Sequence, residues 1–378
     1  MNYKFVYQTM LTCIGNKRKL APNIYNIVEE IRLSLNKDKI NIVDGFAGSN
    51  VISRVLSNLS DNLYVNDLEL YSYLMAKCFL ERPSEEQISR IVYHIDTMNN
   101  IADNGPYIEG IICKLYAPKD SKDIKEGERC FYTRENALII DTLRKYIKDN
   151  IEFSEDNSDI YVYCIVPLLI KASINNNTSG VFKGFHKNGK KGCFGGKAKN
   201  ALSRILKNIR LDLPVWSDDN FRVKCYNKDI NAMILEDLPE DIDIIYLDPP
   251  YNQHPYGSNY FMLNIIALNE EPDEISKVSG IPKKWNKSNY NYKNEAVISM
   301  KKLLEDGLKK SKMLMISYNN EGIITEADWK ELFKNYNVNK YEIKYDTYKG
   351  SRNLKNREDK VIEIIYIVSL NQSQYSTH

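Results

Sequence analysis

Apolar positions change their spacing twice along this chain, and the changes divide it into three stretches. In the first, Ile24, Ile27, Val28 and Ile31 recur at helical spacing behind Pro22, which a helix tolerates near its start. Residues 39–44 (Lys-Ile-Asn-Ile-Val-Asp) read as a short strand, 45–50 as a turn, and about 51–58 as a helix. Leu63 to Asp67 is a second strand ending in an acid, and a helix is predicted over about 69–81. Strands that alternate with helices predict a parallel sheet.

From about 83 to 215 strand signals fade. Helical spacing governs 85–99, 134–149 and 159–173, and a turn-rich linker follows at 175–180. Val181 to Leu211 carries nine Lys or Arg and no acid, with six glycines within 180–196. That predicts a mobile basic loop followed by a helix, 197–209. The third stretch resumes the first pattern. Strands are predicted at 221–226, 242–247 and 312–318, and helices at 294–310 and 328–336. Tyr341–Tyr348 and Val361–Leu370 read as an antiparallel hairpin at a sheet edge, joined by a basic loop with Lys349, Arg352, Lys355 and Arg357. The fold class is therefore α/β. Residues 1–82 and 216–378 form the two parts of one sheet domain, and 83–215 form a helical insertion.

Composition narrows this little. A chain of 378 residues holds one large α/β domain with an insertion, or two domains. Its 52 basic and 50 acidic residues exclude a wholly basic protein but not a basic face. Seven scattered cysteines show no C-x-x-C pair or histidine at ligand spacing, so no metal is expected. With no secretory signal in view, an odd count suggests reduced thiols in a cytosol. The longest apolar run, Ile160–Ile170, contains Pro167 and is too short to span a bilayer, so no membrane is expected and a buried helix is.

Asp248-Pro249-Pro250-Tyr251 carries the most chemical information. It ends the apolar run 242–247, because a double proline offers no donors to a strand ladder. The strand end then presents a carboxylate, a stiff backbone with free carbonyls and an aromatic ring at the carboxyl edge of a sheet, where open α/β sheets bind ligands. An exocyclic amine on a planar base needs acceptors for its hydrogens and a ring to stack on, and this corner supplies both. Asp44-Gly45-Phe46-Ala47-Gly48-Ser49 lies where another strand turns into a helix. It is not G-x-G-x-x-G, which weighs against a dinucleotide. Asp44 repels phosphates and suits a cationic amine, as on the methionine part of S-adenosylmethionine (AdoMet). Asp67 ends the next strand, about where nucleoside-binding sheets place an acid for ribose.

At these residues the chain resembles the DNA adenine-N6 methyltransferases of the alpha group (D12 class), and more closely the branch with the FokI-type modification enzymes. The resemblance covers nearly the whole chain. Ile14-Gly15-Asn16-Lys17, Asp44–Ser49, Asn66-Asp67 and Asp248–Tyr251 match the family's motifs in the alpha-group order, and Asp229 lies near a further acid position. The extended tetrapeptide (Asn252, Gln253, Tyr256, Asn259, Tyr260) and the segments 131–137, 177–182 and 348–352 resemble the branch. Two positions depart: Cys13 stands where an aromatic is usual, and Asn50 where a glycine is common.

The resemblance implies a Rossmann-like AdoMet-dependent methyltransferase sheet with a helical, basic target-recognition insertion. It implies AdoMet contacts by Cys13, Gly15, Lys17, Asp44, Phe46, Ala47, Gly48, Ser49, Asp67, Asp229 and Asp248. It implies catalysis by Asp248, Pro249, Pro250 and Tyr251 on an adenine flipped out of duplex DNA. A cognate restriction endonuclease is a further expected partner, in a bacterial or phage-encoded, cytoplasmic setting. On the basic loop, Lys183, Lys187, Lys190 and Lys191 are candidates for DNA phosphates, with Arg352 as a second group. Phe182, Phe185 and Phe194 either wedge into the base stack or anchor the loop. The alternatives are methyl transfer to another amine (cytosine N4 or RNA adenine) and a catalytically silent DNA-binding protein of the same fold.

Overall fold

The computed structural model describes residues 3–7, 11, 17–346 and 360–371. Seven strands form one sheet: β1 (Ile40–Asp44), β2 (Ser60–Asn66), β3 (Arg222–Tyr226), β4 (Ile242–Leu247), β5 (Ser311–Asn319), β6 (Tyr336–Asp346) and β7 (Lys360–Leu370). Their order is β3-β2-β1-β4-β5-β7-β6. The first five run parallel, and β7 is antiparallel to both β5 and β6. The expected hairpin is thus present, with β6 as the outer strand and β7 inserted beside β5.

All six positions of β4 are buried. Its apolar run requires this, since a strand covered on both faces has no solvent side. Alternate side chains feed two cores. Ile42, Ile244 and Tyr246 pack with the helices that follow β2, whereas Val43, Ile245 and Leu247 pack with Met233 and Leu303 of the helices Ile230–Glu236 and Lys293–Lys310. The result is a Rossmann-like α/β core with flanking helices.

Between β2 and β3 the chain adds no strand to this sheet. It folds as helices Leu70–Leu80, Glu85–Asn104, Ile111–Tyr116, Arg134–Ile147 and Tyr161–Ile174. Ser84 and Gln87 form a capping box on the second, and Thr133 caps the fourth. Such caps are each worth about 1 kcal/mol. The run around Pro167 is a buried helix, as its composition demands. Among the described residues no helix is long and apolar enough to cross a membrane.

One predicted helix fails. Instead of 197–209, only Leu202–Leu206 is helical. Gly195, Gly196, Lys199 and Ala201 all take positive φ, which interrupts a right-handed helix. Downstream, side chains replace the helix ladder. The Asn136 amide donates to the carbonyls of Ile205 and Lys207, and Asn175 donates to those of Arg204 and Lys207. The basic stretch also forms a two-strand ribbon, 187–188 with 191–192, that the sequence reading lacked.

Candidate active site

Strand β1 pairs with β4, with Asp44 opposite Tyr246. Chain order reverses there, since β2 lies beyond β1 and β5 beyond β4. Loops leaving the two strands diverge, and a crevice opens at their carboxyl ends. It encloses about 930 Å³ when its open mouth is included. Asp44, Phe46, Ala47, Gly48 and Ser49 form one wall, and Asp248 with Pro250 forms another. Lys17, Asp67 and Asp229 also line it. The two motifs that the sequence reading joined thus share one cleft.

The first wall is shaped by its turn. Gly48 has φ +50, and a Cβ there would meet only the Phe46 carbonyl oxygen, at 4.0 Å, so backbone conformation, not crowding, requires glycine there. Asn50, where the resemblance leads one to expect glycine, also has positive φ (61°), a conformation that asparagine tolerates. Its amide donates to the Ser72 carbonyl at 3.0 Å. Gly45 answers to packing, since a Cβ would lie 2.9 Å from Ile230 Cδ1.

Asp44 is fully buried. Ser53 donates to its Oδ2 at 2.5 Å, while Oδ1 has no hydrogen-bond partner among the described residues. Burial pushes its carboxyl up to about 7; the Ser53 bond opposes this and the Asp67 charge adds to it. Asp67 accepts the Gly48 amide at 2.7 Å on Oδ2 and the Glu69 amide at 2.8 Å on Oδ1. Burial raises its pKa as well. These bonds hold the carboxylate against the turn and leave a lone pair on each oxygen. Phe46 meets Tyr290 edge-on, with centroids 5.2 Å apart. Asp229 caps the helix Ile230–Glu236 through the Asn231 amide.

AdoMet fits these donors and acceptors. The orphaned Asp44 oxygen matches its ammonium, and the spare Asp67 lone pairs match ribose hydroxyls. A cleft with acids on both walls suits a cation and would repel a phosphate.

The second wall is a cluster of charges. Lys17 Nζ lies 3.0 Å from Asp248 Oδ1 and 2.7 Å from Glu363 Oε1 of β7. The lysine is 4% exposed and Glu363 is fully buried. Ser317 of β5 donates to Glu363 Oε1. The Tyr251 hydroxyl donates to Asp248 Oδ1 at 2.6 Å, and its ring lies 4.4 Å from Lys17 Nζ and edge-on to Tyr318. Burial pushes the Asp248 carboxyl up to about 7, against the pull of Lys17 and with added repulsion from Glu363. Burial alone would lower the Lys17 pKa, but its two carboxylates outweigh that and raise it.

Two cleft residues and one buried behind the cleft wall have no role in the sequence analysis. Glu69 lines it, accepts from Asn264 at 2.7 Å, and is pushed up to about 7 by burial and by Asp67. The Tyr246 hydroxyl is buried there with no hydrogen-bond partner among the described residues. Glu363 has a signal, a lone acid in the apolar run Val361–Leu370, but that pattern by itself predicts only an edge strand.

The DNA candidates lie outside this cleft. Lys183, Lys187, Lys190 and Lys191 are exposed. Lys183 Nζ lies 3.3 Å from His254 Nδ1, so the basic loop abuts the segment after the tetrapeptide. Phe182 is not a free wedge. It is buried against Phe131, Tyr132 and Phe261 and anchors the loop. Asn177 pins the same loop: its amide donates to the Cys130 carbonyl at 2.8 Å and its Oδ1 accepts from the Gly195 amide at 2.9 Å. Cys13, Gly15 and Arg352 lie outside the described residues. Among those described, no group of three or more His, Cys, Asp or Glu is placed to hold a metal ion.

Comparison with known proteins shows the family of the chain. Residues 14–332 match the family described as D12 class N6 adenine-specific DNA methyltransferase. The chain is 29% identical over 327 residues to the Type II methyltransferase M.CviAII of Paramecium bursaria Chlorella virus 1, covering 85% of this chain and 87% of that protein. It is 26% identical over 361 residues to the Type II methyltransferase M.NlaIII of Neisseria lactamica, covering 94% and 98%. It is 27% identical over 368 residues to the Modification methylase StsI of Streptococcus sanguinis, where 94% of this chain spans about half (51%) of the relative's length.

Proposed function

The chain belongs to the D12 class of N6 adenine-specific DNA methyltransferases, and we propose that it transfers a methyl group from AdoMet to N6 of an adenine flipped out of duplex DNA. The observation that carries this reading is the shared cleft, which has on one wall an Asp44 oxygen with no hydrogen-bond partner among the described residues and on the other the Asp248 carboxylate. When bound, AdoMet supplies an electrophilic methyl on a sulfonium. Asp44 Oδ1 takes its ammonium, and Asp67 takes the ribose hydroxyls. Extruding the base costs roughly a few kcal/mol. Tyr251 stacks on the extruded ring, and its hydroxyl yields Asp248 Oδ1 to the amine. Asp248 and the Pro249 carbonyl accept the two N6 hydrogens. That favours a pyramidal nitrogen whose lone pair faces the methyl carbon. Positioning and fixed dipoles do most of the work.

In this reading the helices and basic loop of 83–215 recognise the target, with Lys183, Lys187, Lys190 and Lys191 on its phosphates. Pairing with a restriction endonuclease, in a bacterial or phage-encoded setting, is part of this proposal; the relatives' names, modification methylase and Type II methyltransferase, are in keeping with such pairing. The likeness to M.FokI (26% over 370 residues) is matched by the other relatives, so the FokI-type branch is the finer part of the proposal. The test is transfer of tritiated methyl from AdoMet to duplex DNA, RNA and protein, followed by nucleoside analysis. Label in N6-methyladenine of duplex DNA is expected. Label confined to cytosine, RNA or protein, or no transfer at all, refutes the reading.

A further inference from the structure

We propose that Glu363 is a positioning residue for this reaction: by sharing Lys17 with Asp248 it keeps the Asp248 carboxylate oriented and able to receive the proton that the target nitrogen sheds. The proposal rests on the methyl-transfer reading above. Its basis is an imbalance of buried charge. One ammonium lies 2.7 Å from Glu363 and 3.0 Å from Asp248, so two carboxylates divide one cation. A buried carboxylate is costly, and Ile or Val would suit the apolar strand around Glu363 better.

The chemistry gives this excess negative charge a use. N6 forms its bond to the methyl carbon as the sulfur–carbon bond breaks, with that electron pair left on sulfur. The nitrogen then carries a positive charge and one hydrogen too many. Passing that proton to Asp248 leaves a neutral secondary amine and a carboxylic acid. With Glu363 present, the Lys17, Asp248 and Glu363 group goes from net −1 to neutral. Without it, the same step would carry a buried pair from neutral to +1.

Groups on several elements bear on Asp248: Lys17, Glu363 of β7, Asp44 of β1, Tyr246 of β4, and Tyr251 of its own corner, with Ser317 and Tyr318 of β5 packed against Glu363 and Tyr251. Asp44 and Glu363 disfavour its ionised form, and Lys17 favours it.

The experiment is single-turnover methyl transfer from tritiated AdoMet to adenine-containing duplex DNA across pH. For Glu363→Gln the rate is expected to fall by roughly tenfold or more. Its acid limb should move to lower pH, by on the order of one pH unit. Lys17→Met should move the limb the opposite way. Glu363→Asp, which keeps the charge, should keep the wild-type limb, and AdoMet affinity by calorimetry should stay unchanged in both Glu363 variants. An unchanged rate and limb in Glu363→Gln overturns the proposal. If that variant fails to fold, Ser317→Ala replaces it: a lowered rate at wild-type AdoMet affinity supports the proposal, and an unchanged rate overturns it. A wild-type chain that methylates no adenine sinks the underlying reading instead.

Discussion

Replacing Asp44 with asparagine should strengthen the ligand-free fold and cripple AdoMet binding at the same pH. Its carboxyl stands at about 7 in the folded protein against an ordinary 3.8, chiefly through burial. Because the folded-state pKa is the higher one, the fold holds a proton that the unfolded chain has already lost between about pH 4 and 7. Stability therefore declines as pH rises through that window. The gap between 3.8 and about 7 corresponds to about 4 kcal/mol against the ligand-free fold above pH 7. Asparagine removes the charge and keeps an acceptor for Ser53. It also puts an N–H group where Oδ1 has no partner, at about 1–3 kcal/mol. The expected net gain at pH 8 is about 1–3 kcal/mol, turning into a loss near pH 4, where the wild-type acid is already neutral. Urea unfolding of both proteins at the two pH values reads this crossing directly. Losing a charge-assisted bond of about 1.5–3 kcal/mol should weaken AdoMet roughly 10- to 100-fold at pH 8 by calorimetry. Wild-type affinity should fall below about pH 7, as protons compete for Asp44, and the variant should lose this dependence. Undiminished AdoMet affinity in the variant at pH 8 would refute the reasoning.

Other expectations follow from the same geometry. Asp248→Ala should abolish methyl transfer to duplex DNA while leaving circular dichroism nearly unchanged; normal turnover would remove Asp248 from the chemistry. Tyr251→Phe should retain more activity than Tyr251→Ala, because stacking needs the ring and not the hydroxyl, which donates to Asp248 Oδ1 at 2.6 Å and reaches Glu363 Oε1 at 3.5 Å; equal rates for all three side chains would count against base stacking. Changing Lys183, Lys187, Lys190 and Lys191 together to Gln should weaken DNA binding and reduce the slope of log affinity against log salt by about 0.9 for each phosphate no longer neutralised; an unchanged slope would clear the loop of that role. Asn177→Asp puts an oxygen against the Cys130 carbonyl and should loosen residues 183–197, read as faster proteolysis there with AdoMet affinity intact.

Much of the sheet was legible because its strands are apolar runs that end in acids or prolines. Asp44, Asp67 and Asp248 mark the carboxyl ends of β1, β2 and β4, and the apolar runs with the turn residues that stop them locate all three. The false helix at 197–209 shows the limit. Its residues favour helix locally, but Asn136 and Asn175, far away in sequence, claim its carbonyls. The same holds for segments 131–137 and 177–182. Their resemblance was visible, but their work in pinning the basic loop depends on contacts across the fold. Glu363 was hidden for a related reason: whether an acid in a strand faces solvent or a lysine is set by its neighbour strand, and the sequence does not state that β7 lies beside β5.

The pairing of β7 with β5 also bears on synthesis. Lys17 and Glu363 stand some 350 residues apart in sequence, yet they form one ion pair beside Asp248. A nascent chain that has emerged as far as residue 350 already carries the turn at 44–49 and the tetrapeptide, but not the strand that completes their setting. The charge cluster beside Asp248 is therefore complete only once β7 has zipped against β5, however early the rest of the cleft has formed.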